Sequence, residues 1–315
     1  MNLLSRPQTA VAVSATPKST SRRFDLQKVV VIVIFLLPPA LIYFGLVLLP
    51  IIQALHFSFF RWNGLGPMEN FTGLDNYVQV FRDGIFMRAL GNNLLIVALS
   101  ALVQLPLALG LALLIRQNLP GRRIFRVIFF LPYVLSEVIT GVLWSFIFNP
   151  QVGLLNNILS VFPGFEPQGW LGDTKMVMFA LFVVISWKYF GLYLILYMAG
   201  LQNIPAELEE AAIIDGASPA QVIRHVTVPL LAPTLRLSLF LSVLGSLQIF
   251  DLIWVMTAGG PVNSSQTMAT YIYRFGFKNF AIGYGSAVGV VLFAICLVFS
   301  IVYQRYVMRR DYQNL

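Results

Sequence analysis

Three sets of side chains in this sequence have the types and spacings that chemistry could use. The first is a run of carboxylates, Glu207, Glu209, Glu210 and Asp215, interleaved with small Ala211, Ala212 and Gly216. The second is a pair of polar stripes. Ser238, Ser242 and Ser246 recur every four residues with Gly245, Gln248 and Ile249 beside them, and Ser186, Tyr189, Tyr193 and Tyr197 share a face in the same way. The third is a set of three charges, Glu137, Lys188 and Asp251, embedded in apolar sequence. Hydroxyls and amides exchange hydrogen bonds with a polyhydroxylated solute, and an aromatic ring suits the apolar face of a pyranose. Small residues at this spacing serve helix packing equally well. Catalysis finds fewer materials. His56 and His225 are the only histidines, and HExxH, GxSxG and GxxxxGK[ST] are all absent. Cys296 is the single cysteine, which excludes an intramolecular disulfide and a cysteine metal cluster. The chain reads as non-catalytic, with no metal site and no cofactor of its own.

The elements that must position these groups are set by lipid. Of the 315 residues, 58% are hydrophobic and 11% charged, where a soluble domain carries about 25% charged residues. A hydrocarbon layer ~30 Å thick needs about 20 apolar residues in helical form. Six segments qualify: Val29 to Ile51, Leu94 to Ile115, Ile124 to Phe148, Met176 to Leu201, Thr234 to Ala258 and Ile282 to Tyr303. The expected fold is therefore an all-α integral membrane protein of about six transmembrane helices. The basic residues lie beside these runs rather than in a nucleic-acid-binding patch. One face collects Arg6, Lys18, Arg22, Arg23, Lys28, Arg116, Arg122, Arg123, Arg126, Arg224, Arg236, Arg305, Arg309 and Arg310; the other collects only six cations, Arg61, Arg82, Arg88, Lys175, Arg274 and Lys278. The positive-inside rule then places both termini in the cytoplasm. Residues 1–27 read as a disordered cytoplasmic tail and 28–315 as the membrane domain. Pro38, Pro39, Pro106 and Pro132 fall inside spans, where each removes a backbone donor and favours a kink. Intramembrane charges cost roughly 2.5–3.5 kcal/mol each at mid-helix, so Glu137 and Lys188 are expected to pair across the third and fourth spans.

The segment 202–233 is too long and too patterned for a plain helix connection. Pro205 opens a first short helix whose early turns carry Glu207, Glu209 and Glu210, suiting a positive helix N-terminus. Leu208, Ala211 and Ala212 share one face. Asp215 and Gly216 end it, with Gly216 able to take the left-handed conformation. Ser218, Pro219 and Gln221 then place a cap, a first-turn proline and a capping-box partner in order, predicting a second helix to about Val228. Pro229 and Pro233 turn the chain back into the membrane.

Glu210, Ala211, Ala212, Gly216, Val226, Val228 and Pro229 together resemble the EAA loop of ATP-binding-cassette (ABC) importer permeases, with Val226 and Val228 where Ile and Leu are more usual. GLDNY at Gly73 to Tyr77, FNPQVGLLN at Phe148 to Asn156, AGLQNIP at Ala199 to Pro205 and FDLIWVMTAGGP at Phe250 to Pro261 resemble the di- and oligosaccharide branch, related to the maltose permease subunits. The resemblance implies a type I importer in a bacterial or archaeal cytoplasmic membrane. Two homologous permeases would sit over two ATPase subunits that bind ATP and Mg, and an extracytoplasmic solute-binding protein would deliver the sugar. It also implies that Glu210, with Ala211, Ala212, Asp215 and Gly216, couples the chain to the ATPase. Sugar contacts would fall near Tyr189, Ser242, Gly245, Ser246 and Ile249, with the apolar Ile249 departing from the maltose-binding set.

Two other readings compete. A secondary transporter would show inverted repeats with interrupted helices in matched positions, and none is legible here. Within the importer family, glycerol phosphate esters are the alternative cargo.

Overall fold

The computed structural model describes residues 26–116 and 122–308, with side chains from Val30 and from Ile124 onward in each stretch. The tail expected over 1–27 thus lies almost wholly outside the described residues. Among the described residues the regular elements are all helices, joined by irregular loops, with one isolated bridge between Phe60 and Phe71. The helices are α1 (Val30–Phe57), α2 (Asp75–Arg82), α3 (Gly84–Arg116), α4 (Arg122–Val134), α5 (Glu137–Ile147), α6 (Leu154–Leu159) and α7 (Val177–Gln202). They continue with α8 (Ala206–Ile214), α9 (Pro219–Leu230), α10 (Ala232–Gln248), α11 (Asp251–Thr257), α12 (Met268–Tyr271) and α13 (Ile282–Met308). Residues to Pro50 form one compact unit and residues from Ile51 a second. In the first unit the apolar side chains from Val30 to Leu49 are exposed almost throughout, a surface that hydrocarbon solvates and water does not.

Four helices, α1, α3, α7 and α13, are long and apolar enough to cross a membrane, and two bent pairs bring the number to six. The third expected span is one of these pairs: α4 and α5 meet at 100°. The fifth also departs from expectation. Helix α10 stops at Gln248, and Ile249 takes an extended conformation (φ −60°, ψ 125°) before α11 begins at Asp251. At its other end α10 meets α9 at 66° across Leu231.

Proline acts differently from the expected simple kink. Among the described residues, three of the five widened π-helical turns are at Phe44–Leu48, Ser100–Gln104 and Ile223–Thr227. Each is followed two residues later by a proline: Pro50, Pro106 and Pro229. A proline ring clashes with the carbonyl four residues back and offers that carbonyl no donor. In each case the residue before the proline donates five residues back, Leu49 to Phe44, Leu105 to Ser100 and Val228 to Ile223. The wider turn makes room for the ring, and the helix continues through it.

Three apolar clusters hold the second unit. Leu181, Val184 and Ile185 of α7 pack on Leu252, Ile253 and Met256 of α11. Ala108, Ala112 and Ile115 of α3 meet Leu194, Tyr197 and Leu201 of α7. Val80, Phe86 and Ala89 gather with Met268, Tyr271, Ala287 and Val288 around α12 and α13. Helix α4 crosses α7 at backbone contact, because any Cβ on Gly191 would strike the Phe129 carbonyl.

Candidate functional site

The two chain breaks and two of the uninterrupted helices enclose one cavity of about 440 Å³. Helix α7 contributes Tyr189 and Tyr193, α10 contributes Ser242, Gly245, Ser246 and Gln248, and the break contributes Ile249 and Phe250. Glu137 and Asp251 complete the set of expected residues, and Ser100, Gln104 and Tyr133 join them. Ser100 and Gln104 come from the widened turn of α3, both buried, and sequence periodicity does not single them out. Ser238 and Tyr197 do not line the cavity. They are fully buried and hydrogen-bonded to each other at 2.7 Å, which is helix packing.

Each break is built from side chains that replace lost helix bonds. Lys188, 3% exposed, donates from Nζ to the Leu135 carbonyl at 2.6 Å, at the C-terminal end of α4. Glu137 sits in the first turn of α5 and accepts from the Tyr189 hydroxyl. A cation at a helix C-terminus and an anion at an N-terminus each gain up to ~2 kcal/mol when partly buried. A hydrogen bond to a charged group adds ~1.5–3 kcal/mol, so together these offset the insertion cost. Glu137 and Lys188, expected to pair, thus take hydrogen-bond partners on opposite sides of the 100° bend while remaining near enough for their charges to attract. At the other break Asn93 donates to the Ser246 and Leu247 carbonyls at 2.7 and 3.2 Å and accepts from the Met268 amide at 2.9 Å. Thr267 donates to the Ile249 carbonyl at 3.0 Å. Asp251 stands in the first turn of α11, so it too meets a helix N-terminus rather than a span interior. The charged side chains on the cavity wall are the carboxylates Glu137 and Asp251.

At one end of the bundle α8 and α9 form the patterned loop. Gly216 takes φ +89°, with its amide donating to Ile213 and the Ala217 amide to Ala212, closing a Schellman turn. The Ser218 amide donates to Gln221 Oε1 at 2.7 Å at the start of α9. Glu210, Ala211, Asp215 and Gly216 are exposed, and Ala212 is half-buried. Glu209, rather than Glu210, ties the loop to the bundle: its Oε1 accepts from Arg116 of α3 at 2.5 Å and from Thr227 of α9 at 2.6 Å. Burial works to raise the Glu209 carboxyl, and the bonds from Thr227 and Arg116 with the Arg116 charge outweigh it, leaving it below the ordinary carboxylate value. Ile214, 85% exposed, and Ile213, 59% exposed, project beside the Glu210 surface.

Residues 104–311 match the family described as binding-protein-dependent transport system inner membrane component. The chain belongs to this family. A probable ABC transporter permease protein, YurN of Bacillus subtilis strain 168, is 34% identical over 274 residues, 86% of this chain and 94% of its own. The diacetylchitobiose uptake system permease protein NgcF of Streptomyces coelicolor is 34% identical over 307 residues, 94% of this chain and 86% of its own. Among solved structures, a bacterial alginate ABC transporter in complex with an alginate pentasaccharide-bound periplasmic protein contains a chain with TM-score 0.80 and 26% identity. That match covers 90% of this chain and 96% of that one.

As an ABC importer permease, the chain is a multi-pass membrane component. Its recognisable strings are largely fasteners within that architecture. In GLDNY, Asn76 donates to the Ser58 and Phe60 carbonyls at 2.8 and 3.0 Å and Tyr77 meets Ser58 at 2.6 Å. In FNPQVGLLN, Asn156 holds Pro150 and Gln168 and accepts from Trp170 at 2.8 Å. FDLIWVMTAGGP is the chain leaving the α10 break. Asn93 and Thr267, which secure that break, carry no signal in sequence beyond being amide and hydroxyl groups in apolar surroundings.

Proposed function

We propose that this permease subunit forms, with a second homologous permease, the membrane path for a di- or oligosaccharide. The cavity carries the reading: hydroxyls of Ser242 and Ser246, the amides of Gln104 and Gln248 and the rings of Tyr133, Tyr189 and Tyr193 surround one space, opened by two helix breaks. This is the mixture of polar groups and aromatic faces that a sugar matches. The names of relatives, a diacetylchitobiose permease among them, support it. A phosphate ester fits the cavity poorly, because the charges on its wall are carboxylates and like charges in low dielectric repel strongly.

The remaining partners follow from the same reading. An extracytoplasmic binding protein delivers the solute, two ATPase subunits hold ATP and Mg, and this chain does no hydrolysis itself. The exposed Glu210, with Ala211, Ala212, Asp215 and Gly216, is the contact with the ATPase, and both termini lie in the cytoplasm. The test is uptake by the reconstituted importer in vesicles, supplied with its binding protein and radiolabelled disaccharides or glycerol phosphate esters. ATP-dependent accumulation of an oligosaccharide supports the reading; accumulation of the ester alone overturns it.

A further inference from the structure

A second cavity, of about 360 Å³, lies beside the loop end of the bundle and apart from the sugar cavity. Its polar lining comes from Arg116 of α3, Arg126 of α4 and Gln202 of α7, and Ala112, Met198 and Leu201 supply much of the rest. Two arginines thus line one cavity, and a nitrogen of Arg116 is taken by the Glu209 carboxylate outside it. Among the described residues the Nε of Arg126 is shielded from solvent and meets no acceptor. A buried donor on a charged group without an acceptor is costly, and the residue that carries it lines this cavity together with a second arginine. Next to Arg126, Ile124, Val127 and Ile128 are 64%, 63% and 57% exposed, an apolar face suited to acyl chains.

We propose that this cavity binds a phosphoryl anion, held by Arg126 and Arg116. The planar guanidinium fork matches phosphoryl oxygens in pairs. Basic pockets between helices at the cytoplasmic level receive anionic lipid headgroups in the same way. The phosphoryl group comes from an anionic lipid or from free phosphate, and the bonds to Arg126 are the same in either case. Because Arg116 also holds Glu209, occupancy bears on the loop that carries Glu210.

The experiment uses the intact importer in detergent, incubated with an equal mixture of phosphatidylglycerol and phosphatidylcholine and read by native mass spectrometry. Wild type is expected to retain phosphatidylglycerol preferentially, and Arg126→Gln to retain about fivefold less, the effect of one basic side chain near a lipid surface. Arg126→Lys, which keeps the charge and loses the fork, should fall between. A second arm adds inorganic phosphate without lipid: a rise in melting temperature for wild type and none for Arg126→Gln, with lipid retention equal in both, assigns the site to free phosphate. No preference for phosphatidylglycerol and no phosphate effect in wild type overturns the proposal even if Arg126→Gln fails to assemble. Equal lipid retention and equal phosphate response in wild type and an assembled Arg126→Gln overturn it as well.

Discussion

Single side chains in this protein do two unlike jobs that their sequence spacing does not separate. Ser238, Ser242 and Ser246 form one stripe, yet Ser238 is bonded to Tyr197 in the packed interior while Ser242 and Ser246 face the cavity. Ser242→Leu is accordingly expected to place a branched apolar group in the cavity, the proposed path, and remove a hydroxyl from it. Uptake should fall at least tenfold with the complex still assembled, as read by transport and by subunit stoichiometry on size exclusion. Overpacking at such a site costs ~1–3 kcal/mol, too little to dissolve the bundle. Ser238→Ala, by contrast, leaves the Tyr197 hydroxyl short of a partner and should lower thermal stability by ~1–3 kcal/mol with little change in which sugars are carried.

At the scale of elements, the loop of α8 and α9 is held by one carboxylate and one glycine. Glu209 binds Arg116 and Thr227, and its carboxyl lies below the ordinary value. A depressed carboxylate contributes stability that is whole above the ordinary glutamate value of ~4.3 and is lost as pH falls through the lower folded-state value. Hydrogen exchange of the α8 amides should therefore be faster in Glu209→Gln than in wild type near neutrality, and the difference should shrink in acid. An unchanged difference at low pH would mean that packing, not this charge, holds the loop. Gly216 stands at φ +89°, so Gly216→Val is expected to strain the turn by ~1–3 kcal/mol. Uptake should drop although nothing lies within 4 Å of the position a Cβ would take, the defect being conformational rather than a clash.

For the whole molecule the question is how a chain without a nucleotide loop responds to ATP. Under the proposed reading, the exposed Glu210 with Ile213 and Ile214 beside it is the surface for that response. Glu210→Lys should leave the six spans inserted and reduce uptake roughly tenfold or more, since reversing a charge at an interface costs several kcal/mol against the wrong partner. ATP hydrolysis measured with and without loaded binding protein is the readout. Full stimulation together with full uptake would remove this face from the coupling path. The orientation is tested separately. A cysteine at Asn263 should react with an impermeant reagent from outside intact cells, and reaction from inside only would invert the proposed topology.

Composition and apolar run length were enough to indicate an all-helical membrane protein of about six apolar segments, because a lipid solvent demands about 20 apolar residues per helix whatever the tertiary contacts. The loop was also legible in Pro205, Gly216, Ser218 and Gln221, since caps and left-handed turns are local and depend on residues within a few positions. The cavity residues Tyr189, Ser242 and Ser246 were legible as stripes, but periodicity cannot say which members face a space and which face a neighbour. That was decided by the breaks at Leu135 and Ile249, and the breaks exist because residues far along the chain complete them. Lys188 reaches a carbonyl 53 positions away, and Asn93 reaches others 153 and 154 away. An apolar sequence runs through Ile249 as smoothly as through any helix. Only the folded arrangement of Asn93 and Thr267 supplies the hydrogen bonds that let the backbone leave the helix inside a membrane.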